Sequence, residues 1–250
     1  MQPKTATVDH ALGDPVCVDC EKVVDNGFVC EGCGNPLHED CGQFSKHAPS
    51  FRSRETEYDD DLAAVNEFLD WCQRYCKRLV YLAGNHEYRV ERWAAESAQN
   101  YGMYRMLSPR LNISRGRKCF SWVDYFNEQD AEEYPHYKIN KRIVAVHGWS
   151  YAVNATKKHL EMSQGRSIIH GHTHRDDAVG QQSLWKKGDT IEARSAGCLC
   201  RLVPIWCCGR PVTWTNAFIL GYLGHQDDTM FTVKIRNNRA ILPTGKEVTA

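Results

Sequence analysis

The chain has no apolar run long enough to cross a bilayer: the longest, Ala217 to Leu223, is seven residues, and a spanning helix needs about 20. It has no excess of either charge, with 31 Lys and Arg against 31 Asp and Glu, so bulk positive charge and counterion release do not drive nucleic-acid binding. Any such contact would concentrate at Arg115-Gly116-Arg117-Lys118 or Lys141-Arg142, and both read as solvated turns. There is no charged-then-apolar leader, no internal repeat and no low-complexity segment. These absences predict a soluble, cytoplasmic protein of 250 residues, enough for one α/β domain and a small appendage. Without an export signal the twelve cysteines do not read as a disulfide framework, and their Cys-x-x-Cys spacings point to metal.

That metal signal comes early. Residues 1–16 are polar and irregular, and residues 17–45 form a zinc-finger-like module. Cys17-x-x-Cys20, Cys30-x-x-Cys33 and His38-x-x-Cys41 place six good zinc ligands within 25 residues. The spacing lets two thiolates of a pair face one ion. Two groupings are open: Cys17, Cys20, Cys30 and Cys33 as a closed ribbon, or Cys17 and Cys20 with His38 and Cys41, as in the first ligands of a cross-brace finger of the PHD or RING kind. The module is a candidate contact for nucleic acid or protein. Residues 46–57 lack periodicity and read as a linker or loop, and a main domain spans 58–250.

Within the main domain, Thr56 and Asp59 make a capping-box-like pair before a helix whose buried face is Leu62, Val65, Phe68, Leu69, Cys72, Tyr75 and Cys76. A short strand to Leu82 follows, then Gly84 allows a sharp turn that presents Asn85, His86 and Glu87 together on a loop. A second helix is expected from Tyr88 to about Ala98, with Arg89 and Arg92 on a solvated face. Cys119 to Val123 reads as a strand, Asn127 to Glu133 as an acidic loop, and Tyr137 to Ile143 as a hairpin feeding a strand that ends at His147. Asn154 to Ser163 fits a helix, and Arg166 to Ile169 a strand. From Ala178 onward strands alternate with turns, including Lys187-Gly188-Asp189 and Asn237-Asn238, which predicts a second sheet layer. Cys198, Cys200, Cys207 and Cys208 read as cysteines packed between layers rather than a further zinc site. Trp149, Trp206 and Trp214 read as core or rim packing rather than nucleobase platforms.

Three loops share one character. Gly84-Asn85-His86-Glu87, His147-Gly148 and Gly171-His172-Thr173-His174 each follow an apolar strand and deliver histidine to a glycine turn. Such side chains bind metals or move protons. In this order they resemble the third, fourth and fifth motifs of the calcineurin-like metallophosphoesterases. Ala196-Gly197-Cys198-Leu199-Cys200, then Pro211, Trp214 and the strand at Phe218, is similar to the branch of that family carried in phage genomes, which would suit a host cytoplasm. The resemblance covers about residues 55 to 245.

It implies a mixed α/β (α+β) fold, a β-sandwich flanked by helices with one or two divalent ions at the sheet edge. The activity it implies is hydrolysis of a phosphate mono- or diester by a metal-held hydroxide. Asn85, His147 and His172 would hold one metal, His174 would help hold the other, and His86 would serve as proton donor. Amide oxygen and neutral imidazole suit Mn²⁺, Fe²⁺ or Zn²⁺ better than Mg²⁺. The chain departs from the family at its start: the Asp-x-His and Gly-Asp strands are absent in recognisable form, and the finger stands in their place. Asp9, Asp14, Asp40 and Asp59 to Asp61 are the carboxylates near enough in sequence to substitute. The alternative function is a zinc protein that binds nucleic acid or protein through a phosphoesterase-like domain that no longer catalyses.

Overall fold

The computed structural model describes residues 51–126, 134–184, 186–202 and 211–249, with side chains described from Tyr58 onward. The six finger ligands, the acidic loop 127–133, Trp206, Cys207 and Cys208 lie outside these residues. The described chain falls into two compact units, one built on residues 51–81 and 85–122, the other on 82–84, 123–202 and 212–249.

The first unit holds four helices, α1 (Phe51–Tyr75), α2 (Asn85–Ala95), α3 (Ala98–Leu107) and α4 (Pro109–Ser114), with strands β1 (Leu79–Leu82) and β2 (Phe120–Val123). α1 begins at Phe51, inside the stretch read as a linker. The reason is local: Arg52, Arg54, Glu55 and Glu57 are good helix formers that leave no apolar period to read. Thr56 and Asp59 therefore lie within the helix rather than at its start. The expected buried stripe is also narrower, since Leu69 is buried while Phe68, Tyr75 and Cys76 are exposed.

α3 and α4 were not expected from periodicity. Their starts are nonetheless written in the chain: Ser97 Oγ accepts from Asn100 N at 3.1 Å, and Ser108 Oγ accepts from Leu111 N at 3.4 Å with Pro109 opening α4. The small core of this unit contains Leu69, Val90, Trp93, Ala94 and Ile113. β1 and β2 form a separate two-stranded sheet in which Leu79 N donates to Cys119 O at 3.1 Å and the Tyr81 and Trp122 rings stack at 4.8 Å.

The second unit contains two larger sheets. Five strands run in the order β3-β4-β5-β7-β6, with β3 (Tyr137–Lys138), β4 (Ile143–Val146), β5 (Ser167–His170), β6 (Asp176–Gln182) and β7 (Thr190–Ala196). The hairpin β3–β4 is antiparallel as expected, whereas β4, β5 and β7 are mutually parallel neighbours. A parallel pair needs a crossover, and α5 (Ala155–Met162) supplies the one between β4 and β5. It packs on β5, β6 and β7. Buried on both faces, β4 is continuously apolar, and Val144, Val146, Leu160, Ile168, Ile191 and Ala193 form the core.

The second sheet is antiparallel in the order β11-β10-β9-β8: β8 (Ala217–Leu223), β9 (Asp228–Arg236), β10 (Arg239–Ile241) and β11 (Glu247–Thr249). Asn237 and Asn238 both take positive φ, 50° and 58°, as the tight turn between β9 and β10 requires. Arg142, next to β4, ties to β9 by donating to Asp228 through Nε at 2.7 Å and Nη2 at 2.8 Å. No helix among the described residues is long and apolar enough to cross a membrane.

Candidate metal centre

Three parallel strands end level with one another. In the sheet register Val146 of β4 lies opposite His170 of β5, and His170 lies opposite Ser195 of β7. The residues that follow are therefore delivered to one edge: His147 after β4, Gly171 to His174 after β5, and Gly197 and Cys198 after β7. The carboxyl ends of parallel strands are where open α/β sheets bind ligands, because the connections that leave there diverge and open a crevice.

His147 and His172 meet at this edge. Their rings lie edge-on with centroids 5.3 Å apart. A ring nitrogen bound at about 2.0–2.1 Å puts the ring centre about 3 Å from an ion, so two imidazoles on one tetrahedral ion have centres about 5 Å apart. The observed spacing fits a shared ion. Gly171 N donates to His147 O at 2.9 Å and fixes one loop on the other. Gly84 closes the same corner, since a Cβ there would collide with the His147 ring and stand 2.8 Å from its Nδ1. Tyr125 meets His147 edge-on at 5.5 Å, and Tyr151 lies 6.4 Å from His172.

The turn after β5 is strained. His172 and His174 both take left-handed backbone, with φ of 65° and 56°, which costs a residue with a Cβ on the order of 1 kcal/mol or more. Between them Thr173 is buried, and its hydroxyl pairs with that of Ser195 at 2.8 Å. Beneath the turn His159 and His170 are fully buried and stacked, with centroids 4.1 Å apart. His159 Nδ1 donates to Ala155 O at 2.7 Å while its Nε2 accepts from Trp149 N at 3.3 Å. His170 Nδ1 donates to Gly171 O at 3.0 Å, and its Nε2 pairs with the Thr156 hydroxyl at 3.1 Å. His159 thus makes one donated and one accepted bond, the pattern of a neutral imidazole. Burial lowers the pKa of both rings, that of His170 to about 4 with a further contribution from neighbouring His159. The floor under the turn therefore carries no charge at neutral pH.

His174 faces elsewhere. Its ligand nitrogen, Cys198 Sγ and Cys200 Sγ all lie within 4.8 Å of one another, the one group of three His, Cys, Asp or Glu side chains among the described residues that can share an ion. Burial and the nearby His172 lower its pKa. Its Nδ1 is buried with no hydrogen-bond partner, and Trp214 packs edge-on against the ring at 4.4 Å. The two neighbouring thiols shift one another, Cys200 bringing the Cys198 pKa down to about 7 and Cys198 pushing that of Cys200 up. Thr215 N donates to His174 O at 2.9 Å, and Cys198 N donates to Thr215 O at 3.0 Å. Asn216 Nδ2 reaches Cys198 Sγ at 3.8 Å and Cys200 O at 2.8 Å.

The chain matches no family model, no curated protein and no solved structure.

The expected residues Asn85, His86 and Glu87, with Arg89, Arg92 and Asp59 to Asp61, belong to the first unit. Asn85, His86 and Glu87 form the first turn of α2, not a loop, because the helix starts directly after Gly84. Asn85 is half-buried, His86 is exposed, and Glu87 accepts from Tyr81 OH at 2.9 Å. Glu87 also suits the positive end of the helix. Arg92 is exposed as expected, but Arg89 is half-buried with Nη1 enclosed and unpaired, so its face is not simply solvated. Asp59, Asp60 and Asp61 are exposed on α1 and join no group of three metal-binding side chains among the described residues. Trp149 packs on the core of the second unit and meets His159 at 4.4 Å. Beside it an open cleft of about 470 Å³ is lined by Trp149, Tyr151, Lys158 and Met162, among others.

The packing expected for Cys198 and Cys200 does not hold: Cys200 is exposed, Cys198 is half-buried, and both lie beside His174. The signal was a Cys-x-Cys pair directly after a strand and a glycine. It lacked only knowledge that β7 runs beside β5.

Proposed function

We propose that the chain is a metal-dependent phosphoesterase whose ion is held by His147 and His172. The observation that carries this reading is the pair of adjacent imidazoles at the carboxyl ends of parallel strands, 5.3 Å apart and suited to one ion. When bound, a divalent ion supplies a water that loses its proton near neutral pH and a Lewis acid for the phosphoryl oxygens.

The chain's own residues do the rest. Gly171 N holds the His147 carbonyl, and the buried Thr173–Ser195 hydroxyl pair holds the strained turn, so that His172 keeps its place against His147. The aromatic walls of Trp149 and Tyr151 suit an organic group of the ester, in a cleft that Lys158 and Glu161 also line. The resemblance gives His86 a proton donor's role and Asn85 that of an oxygen ligand; both lie in the first unit, and H86A tests the former.

The test is Mn²⁺-dependent hydrolysis of bis(p-nitrophenyl) phosphate and p-nitrophenyl phosphate by the full chain. Activity that H147A and H172A both abolish supports the reading, and activity unchanged in both sinks it. One observation favours the second reading, a zinc protein that binds nucleic acid or protein without catalysis: no Asp or Glu among the described residues joins His147 and His172 in a group of three. Retained zinc without hydrolysis of either ester would decide for that alternative.

A further inference from the structure

We propose that His174, Cys198 and Cys200 bind one Zn²⁺ ion of their own, which clips the turn after β5 to the end of β7 and to the segment entering β8. Three observations point there together. The ligand atoms lie within 4.8 Å of one another, and ligands on one tetrahedral zinc stand about 3.5–3.8 Å apart, so a small contraction closes the site. His174 Nδ1 is buried without a partner, an arrangement that costs free energy in an unliganded protein. The backbone around the group is already cross-tied, since Thr215 N donates to His174 O and Ala217 N to Cys198 O, at 2.9 and 3.1 Å.

The donor set selects the metal. Two thiolates and an imidazole favour Zn²⁺ over Mn²⁺ or Mg²⁺, whereas the two imidazoles at His147 and His172 do not discriminate as sharply. Asn216 stands behind the thiolates, with Nδ2 donating to Cys198 Sγ at 3.8 Å and to the Cys198 and Cys200 carbonyls at 3.2 and 2.8 Å. Hydrogen bonds of that kind orient ligands and quieten thiolate charge. Gly197 is the residue that lets the chain turn into the site. Its φ is 68°, and a Cβ would stand 2.7 Å from Thr215 O and 2.9 Å from Ala217 Cβ. On this assignment His174 serves a thiolate-bound zinc rather than a second ion shared with His172. Three protein ligands leave a fourth position to water.

Zinc content separates this site from the finger and from hydrolysis. The full chain, purified with zinc, is analysed by mass spectrometry of its metals beside C198S/C200S, H174F and C17S/C20S. The expected result is loss of one zinc per chain in C198S/C200S and in H174F, and an independent loss in C17S/C20S. A full zinc complement in C198S/C200S overturns the proposal. Should these variants fold poorly, the unaltered protein answers instead. Cys200 is exposed and therefore open to iodoacetamide unless metal holds its sulfur. Alkylation of Cys198 and Cys200 is expected to be at least about tenfold slower in zinc-loaded than in chelated protein. Equal rates, or a Cys198–Cys200 disulfide in place of metal, would refute the site.

Discussion

His172 and His86 come from motifs that look alike in the sequence, a histidine just after an apolar strand and a glycine, yet they are held differently. His172 lies in a strained turn between parallel strands, over a neutral stacked pair of buried histidines and against a second imidazole. His86 is an exposed residue in the first turn of a helix. A metal ligand works best when fixed before the ion arrives, and His172, proposed as one, is held by packing at the edge of the five-stranded sheet. The proposed proton donor His86 is exposed at the start of α2, where a dissolved substrate can reach it. The contrast accords with different roles for the two residues and can be broken experimentally.

The largest effect is expected at the sheet edge. H172A should lower Mn²⁺-dependent hydrolysis of bis(p-nitrophenyl) phosphate on the order of 10⁴-fold, since it removes a proposed ligand of the ion. H86A should cost about 10²-fold or somewhat more in kcat and leave metal content unchanged, as expected for loss of a proton donor. Equal losses of metal in both variants would erase the distinction between the two histidines.

The buried pair under the turn predicts acid sensitivity. His159 and His170 both titrate below a free imidazole, so the unfolded chain takes up protons that the folded chain refuses. Their contribution is fully present above pH 6.5 and is lost as pH falls towards about 4, the lowered pKa of His170. For His170 alone this amounts to roughly 3 kcal/mol. Urea unfolding midpoints measured in chelator across that range should fall with pH, and a flat profile would contradict the buried neutral pair.

The smallest effect tests the Gly84 corner. G84A should displace the His147 ring and lower activity about tenfold with the fold preserved, comparable to losing a supporting contact of a metal ligand. Unchanged activity would mean that the ring has room to move.

Much of the sheet edge was legible in the sequence because it is local. Ile143 to Val146 and Ser167 to His170 are apolar runs bounded by turns, Asn154 to Ser163 has a helical period, and the histidines follow directly. What escaped reading is of two kinds. α3 and α4 carry few buried residues, so their evidence lies in Ser97, Ser108 and Pro109 rather than in periodicity. The His174, Cys198 and Cys200 group is assembled across 27 residues by the parallel pairing of β5 and β7, and no local pattern encodes that pairing. The start of α1 is a third case, where charged helix formers looked like linker.

The most direct measurement is an anomalous-difference map from crystals of the full chain loaded with Mn²⁺ and Zn²⁺, recorded at both absorption edges. The expected result is an ion between His147 and His172, with a separate zinc among His174, Cys198 and Cys200. An empty position between His147 and His172 in metal-loaded protein would contradict the phosphoesterase reading.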